Sequence, residues 1–194
     1  MKEALIMNKL INKEYSKISF LLGAGASTST GLPDFRSAGG LYERISKKYN
    51  LKDSSLIFNI NFFKKNPHIY YDYLKKRIDI DALEPAMSHK FMRKLQDKQL
   101  LKMIFTQNID CLEFKAGVYS SNVIQCHGNV KTIICSECRK ENSSEKFFNH
   151  IKNSTIYYCD HCNSAPCKSS VVFFGEPLPK EFFERREVST SFIY

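Results

Sequence analysis

Two pairs of cysteines constrain this chain more tightly than anything else in it. Cys135-Ser-Glu-Cys138 and Cys159-Asp-His-Cys162 are C-x-x-C knuckles with twenty residues between them. A C-x-x-C turn aims two thiolates at one metal edge, and two such turns close a tetrahedral site. The separation falls at the edge of the range for a zinc ribbon. From Gly128 to Ser170 the composition turns to Cys, Asn, Ser and Lys, with little continuous apolar pattern. That stretch is expected to fold around one structural Zn2+ held by Cys135, Cys138, Cys159 and Cys162, with free thiols or another metal as the alternatives. Four thiolates leave no open position for water, so such a metal folds the module and does not catalyse. His161, inside the second knuckle, reads as exposed or packed behind the ligands, and Cys167 is an alternative ligand. The N-terminal segment has only the short apolar patch Ala4–Met7 and no small-residue cleavage site, so no secretory signal is read there. Seven cysteines in such a chain point to a reducing compartment, where metal sites or chemistry explain cysteine better than disulfides.

A second constraint is the stretch FLLGAGASTSTGLPDFRS, Phe20 to Ser37. The apolar run Ile18–Leu22 ends in Gly23-Ala24-Gly25, as a parallel strand does where it meets a phosphate-cradling loop. Glycine there lets backbone N–H groups approach a pyrophosphate. The third glycine of G-x-G-x-x-G, however, is replaced by Thr28, and Gly31 comes three residues late. Nor is there a ribose-binding acid closing a second strand. Glu43 stands near that distance, but within LYERISKKY, which reads as helix.

Four apolar runs of β character stand out: Ile18–Leu22, Leu101–Phe105, Asn122–Cys126 and Val171–Phe174. Each is short and followed at once by polar or glycine residues, which predicts parallel strands whose C-terminal ends carry a site. The intervening stretch, 41–98, shows three- and four-residue apolar spacing, as in FMRKLQDKQLL, with Pro67 and Pro85 as helix starts or turns. FTQNID delivers Gln107, Asn108 and Asp110 from the end of one strand, and IQCHG delivers His127 from another. Amides suit ribose hydroxyls and a carboxamide, while a histidine is suited to general-base work near neutrality. Cys126 and His127 are neighbours on a strand and point to opposite faces, which excludes them as a nucleophile pair. No apolar run approaches the ~20 residues of a membrane-spanning helix. The net charge of +9 is scattered in pairs such as Lys47–Lys48 and Arg185–Arg186, and reads mainly as solvated faces.

Together these residues resemble the sirtuins, NAD-dependent protein lysine deacylases. The motifs are GAGASTSTGLPDFRS, GLY at 40–42, TQNID, HG at 127–128, the two C-x-x-C pairs and VVFFGEPLP, in that order from about Ile18 to Phe183. The resemblance implies an α/β fold: an incomplete Rossmann-like doubly wound parallel sheet (1–40, 99–127 and 171–194), a helical module (41–98) and a zinc-binding module (128–170). It implies NAD, with Gly23, Ala24, Gly25, Ala26, Ser27 and Thr28 against the pyrophosphate. Asp34, Phe35 and Arg36 would fold over the nicotinamide end, and Gln107, Asn108, Ile109 and Asp110 would hold the nicotinamide ribose and carboxamide. Asn108, Asp110 and His127 are the implied catalytic residues, His127 also touching cofactor and accepting a proton from a ribose hydroxyl. Val172, Phe174, Gly175 and Glu176 would receive an acetyl-lysine peptide as an added strand. The implied partners are acetylated proteins or peptides, histone or not, in cytoplasm or nucleus.

The sequence departs from the family pattern after VVFFGEPLP. The family continues through a helix to a strand ending in Gly-Thr-Ser, whereas EFFERREVSTSFIY has no such strand. The expectation is therefore a C-terminally truncated sirtuin, with turnover undecided. The alternative is an inactive fragment acting as a zinc-bearing interaction module. A basic zinc-ribbon nucleic-acid binder is a third reading, disfavoured because it leaves the glycine turn and TQNID unexplained. Cys111 after TQNID and CKSSVV before the peptide loop are smaller departures.

Overall fold

A computed structural model of the chain describes residues 8, 9, 12, 14–31, 41–76 and 82–190. Three of the four apolar runs form one parallel sheet: β1 (Ile18–Leu22), β2 (Leu101–Thr106) and β3 (Val123–Gln125), in the order β1-β2-β3. Phe20 lies opposite Ile104, Leu22 opposite Thr106, and Ile104 opposite Val123. The helices are α1 (Leu41–Lys48), α2 (Ile60–Lys65), α3 (Pro67–Lys76), α4 (Met87–Asp97), α5 (Leu112–Lys115), α6 (Ser144–Lys152) and α7 (Lys180–Thr190). None of the described helices is long and apolar enough to cross a membrane. Contacts divide the chain into two units, Met1–Thr30 with Glu84–Cys126 and Pro179–Tyr194, and Gly31–Leu83 with His127–Leu178.

In the first unit, the pleat of β2 sends successive side chains to opposite faces. Ile104 packs with Leu22, Val123 and the α4 residues Met92 and Leu95 in one cluster. Met103 packs with Ile124 and Cys126 in another, where Phe105 meets Phe182 of α7 edge-on at 6.2 Å. Helices thus pack on both faces of the parallel sheet, an α/β arrangement, although Leu21 of β1, opposite Phe105, is exposed. The fully buried Ile104 contributes roughly 2–3 kcal/mol through burial alone.

The fourth run, Val171–Phe174, is not a strand of this sheet, which corrects the expectation of four parallel strands. Its backbone bonds are taken by loops. The Val172 N–H donates to His127 O at 2.9 Å, the Phe174 N–H to Phe58 O at 2.7 Å, and Phe174 O accepts the Ile60 N–H at 3.1 Å. The period-2 pattern remains visible, because Val171 and Phe173 are buried while Val172 is half-buried and Phe174 exposed.

The second unit holds an antiparallel sheet of β4 (Ile133–Cys135), β5 (Glu141–Asn142) and β6 (Cys167–Ser169), in the order β5-β4-β6. Its helical part starts with α1, where Glu43 pairs with Lys47 one turn on at 2.5 Å. Asn59 caps α2 through the Phe62 N–H, and Pro67 is the first residue of α3, where a missing N–H costs nothing. Phe58, Phe63, Tyr70, Tyr73 and Phe173 form a cluster of mainly edge-to-face rings. Tyr71 donates its hydroxyl to Cys167 O at 2.8 Å, tying α3 to β6.

Candidate functional sites

The glycine turn grows from the C-terminal end of β1. Ala24–Ala26 and Thr28–Thr30 are successive single turns of tight helix, closed by Ala26 N–H to Gly23 O and Ser27 N–H to Ala24 O, both at 3.0 Å. A Cβ added at Gly23 or Gly25 would meet nothing within 4 Å among the described residues. Gly23 is extended (φ −123°), so neither backbone strain nor crowding by those residues accounts for glycine there. Among the described residues nothing fills the space over these two glycines, and such space is what close backbone approach by a pyrophosphate needs.

The polar end of β2 is wired into this turn. The Gln107 N–H extends the ladder to Leu22 O at 2.9 Å, and the exposed Gln107 side chain leads into half-buried Asn108 and Ile109. Asn108 Nδ2 donates to Gly23 O at 3.0 Å and to Ser27 Oγ at 3.3 Å. Ser27 in turn donates to Asp110 Oδ2 at 2.8 Å, and Asp110 Oδ1 accepts the Leu112 N–H at 3.0 Å. Ser88 at the start of α4 adds a bond to Ala26 O at 2.6 Å. Gly23, Ala24, Gly25, Ala26, Ser27, Thr28 and Gln107 to Asp110 are thus one connected group, with Ser27 at its centre. Asp34, Phe35 and Arg36 lie outside the described residues, as does Gly40.

His127 stands, half-buried, just after β3, at the head of a tightly fixed turn. Gly128 has φ +69°, and a Cβ there would lie 2.1 Å from Ser170 O, so only glycine fits. Ser170 closes the turn by donating its N–H to Thr132 O at 2.7 Å and accepting the Asn129 N–H on its hydroxyl at 3.1 Å. Cys126 is buried, with its thiol pushed up by burial, in keeping with its exclusion as a nucleophile.

In the loop that follows, Phe174 and Gly175 face outward, whereas the Glu176 carboxylate turns in, to Lys168 Nζ at 2.9 Å, the Phe173 N–H at 2.8 Å and the Arg139 guanidinium. Sequence reading missed Lys168 and Arg139. Lys168 is fully buried, and its ammonium donates to Val171 O at 2.7 Å and Ser169 O at 3.2 Å besides Glu176, 4.1 Å from the Phe173 ring centroid. Burial pushes it down to about 8; Glu176 opposes that shift and Arg139 adds to it. The one available signal was the lysine second in CKSSVV, shortly before an apolar loop.

The four knuckle cysteines converge, their sulfurs all within 4.8 Å of one another. Cys135 and Cys162 are 3.6 Å apart at sulfur, Cys138 and Cys159 3.7 Å. A tetrahedron with Zn–S near 2.3 Å has edges of about 3.8 Å, so the set fits one structural zinc. Backbone N–H groups of Glu137 and Cys138 point at Cys135 Sγ, and that of His161 at Cys159 Sγ. His161 is exposed and its Nε2 bonds Glu141 O at 3.0 Å. Cys167 is fully buried on β6 and outside the tetrad, its thiol pushed up to about 12 by burial.

A model of the Sir2 family matches residues 23–191. The chain is 39% identical over 173 residues to the NAD-dependent protein deacetylase HST2 of Candida albicans, covering 89% of this chain and 51% of that protein. It is 41% identical over 177 residues to the NAD-dependent protein deacetylase sirtuin-2 of Danio rerio, covering 90% and 46%. With an NAD-dependent protein deacetylase of Thermotoga maritima it shares 36% over 182 residues, covering 93% and 68%. The chain spans about half the length of the first two relatives.

Proposed function

The chain belongs to the Sir2 family, and from that premise we propose that it serves NAD-dependent removal of acyl groups from protein lysines, with nicotinamide and O-acyl-ADP-ribose as products. The observation that carries this reading is the turn Gly23–Thr28, open above two glycines among the described residues and bonded through Ser27 to Asn108 and Asp110 past the end of β2. Parallel sheets bind their ligands at such ends.

When bound, NAD supplies the sugar carbon to which the acyl oxygen bonds as nicotinamide leaves. The backbone of Gly23, Ala24, Gly25, Ala26, Ser27 and Thr28 binds the pyrophosphate. Asn108, held to Gly23 and Ser27, orients the nicotinamide ribose, with Gln107, Ile109 and Asp110 around the carboxamide. By resemblance to the family, the motif residues Asp34, Phe35 and Arg36 would exclude water from that end. His127 accepts a ribose hydroxyl proton on a ring nitrogen, a role worth roughly 10²–10⁴ in rate. An acetyl-lysine peptide would add along the outward side of Val172–Glu176, where Phe174 and Gly175 are exposed. The N–H groups of Val172, Phe173 and Phe174 are bonded within the chain, so its main-chain bonds fall to the groups these leave over, and the Glu176 side chain stiffens the loop. Strand addition of this kind relies on main-chain bonds, so broad peptide selectivity is expected. Partners are acetylated proteins in the nucleus or cytoplasm, and the zinc is structural.

The deciding experiment is nicotinamide release from NAD by the purified 194-residue chain, with and without an acetyl-lysine peptide. Release that requires the peptide, and that fails to yield deacylated product in His127→Ala, is the expected result. No release from protein that carries one zinc, and no NAD binding, would overturn the proposal for this chain and leave a zinc-bearing module.

A further inference from the structure

Beneath Asp110 lie two buried groups that the proposed chemistry does not use. His89 on α4 and Glu113 on α5 are both 0% exposed, and their side-chain ligand atoms lie within 4.8 Å of each other and of an Asp110 oxygen. Among the described residues, neither Glu113 oxygen nor His89 Nε2 has a hydrogen-bond partner of proper geometry. Protein interiors rarely leave such atoms unmet. Three of them side by side, next to a carboxylate, ask for a proton or a cation between them.

Counting donors separates the two. His89 Nδ1 accepts the Ala86 N–H at 3.1 Å, so a neutral ring carries its proton on Nε2. Asp110 is already met on both oxygens, by the Ser27 hydroxyl and the Leu112 N–H. An ionised Glu113 would set a second buried negative charge beside Asp110, with both of its oxygens still wanting well-placed donors. A protonated Glu113 completes the set, because its carbonyl oxygen can accept from His89 Nε2–H while its hydroxyl donates to Asp110.

We propose that Glu113 is kept as a neutral carboxylic acid, the middle member of a one-way relay from Ala86 N–H through His89 and Glu113 to Asp110. Burial pushes the Glu113 carboxyl up and the Asp110 charge adds to this, while the Thr106 hydroxyl and its own backbone N–H oppose it. Burial holds His89 down, against the pull of Asp110. The other charged groups on the surrounding elements are exposed or half-exposed: Lys90, Arg93, Lys94 and Asp97 on α4, Lys102 on β2, Lys115 on α5 and Glu84 before α4. Asp110 is therefore the charge that Glu113 faces. The relay makes Glu113 a positioning residue for Asp110 and spares a pyrophosphate-binding turn a second negative charge. That last role rests on the NAD reading above; the protonation state does not.

The test compares the full chain with Glu113→Gln and Glu113→Leu by thermal unfolding from pH 4 to pH 9, with 15N spectra of the His89 ring. A raised folded-state value means that Glu113 contributes its full stability in acid and loses it as the pH climbs. Glutamine keeps the donor and the acceptor without titrating. Its melting temperature should match wild type near pH 4 and exceed it by roughly 2–4 °C above the transition. The leucine variant should be less stable at every pH, and His89 should remain neutral with its proton on Nε2. A glutamine variant that is less stable than wild type at neutral pH, or a difference that ignores pH, overturns the proposal in favour of an ionised Glu113. A divalent ion beyond the zinc equivalent, present in wild type and lost in Glu113→Gln, would identify a cation as its partner. NAD affinity is read separately and should be retained in the glutamine variant and fall several-fold in the leucine one. Wild type that binds no NAD sinks the functional reading while the pH series still decides the relay.

Discussion

Each unit of this protein is organised on a three-stranded sheet, and the two sheets are held by different materials. The parallel sheet has strands of up to six residues, and its order comes from Ile104, Leu22, Met92 and their neighbours packed on both faces. The antiparallel ribbon has strands of two or three residues. Such strands offer little apolar surface, so four sulfurs and a buried ion pair do the fastening. The lesson is about scale: a segment too short to bury its own core is stabilised by a few strong local interactions, and losing one of them costs more.

The largest effect should come from the metal. Chelation, or Cys159→Ser, is expected to remove the zinc and unfold the ribbon, since zinc binding by small metal-folded domains is worth roughly 10–16 kcal/mol. Hydrogen exchange should then show protection lost from β4, β5 and β6. Equal loss from β1, β2 and β3 would break the comparison. The counterpart in the other unit is Ile104→Ala, expected to cost about 3 kcal/mol in urea unfolding while zinc content stays at one per chain.

Lys168→Met sharpens the contrast from the polar side. It leaves Glu176 buried with one cation fewer, and about 3 kcal/mol should be lost at neutral pH. The pH dependence has a definite sign. Lys168 is lowered from 10.5 to about 8, so between those values the unfolded chain binds more protons and stability rises with pH. The methionine variant should lack that rise, and an identical alkaline profile in both proteins would show that the ammonium is solvated. The smallest effect expected is Ser27→Ala, about 1 kcal/mol through lost bonds to Asp110 and Asn108. If NAD binds, its affinity should drop more than the stability does.

Much of this was readable from residues in order along the chain. Ile18–Leu22 is a strand with the boundaries that its apolar run and the following glycine dictate, and the cysteine tetrad follows from knuckle spacing alone. Glu43 lies in a helix, as its neighbours require. Val171–Phe174 misled because an apolar extended run looks the same whether its backbone bonds go to a strand or to loops. Pairings across long stretches were invisible. Arg139 meets Glu176 across 37 residues; Glu176 stands out only as part of the peptide-loop motif, and nothing local marks its carboxylate as turned inward or Arg139 as its partner. His89 and Glu113 likewise sit in polar-looking helix sequence, and only packing buries them.

The turn behind His127 also says something about the order of events during synthesis. Its conformation is locked by Ser170, which lies 41 residues beyond its partner Asn129. At roughly 5–20 residues per second, a ribosome needs about 2–8 s to make the intervening chain. During that interval Gly128 has no carbonyl to nestle against, and the histidine beside it has no fixed station. The stretch in between is the cysteine ribbon. All four knuckle cysteines are made before Ser170, so the metal's ligand set is complete while the histidine turn still lacks its lock.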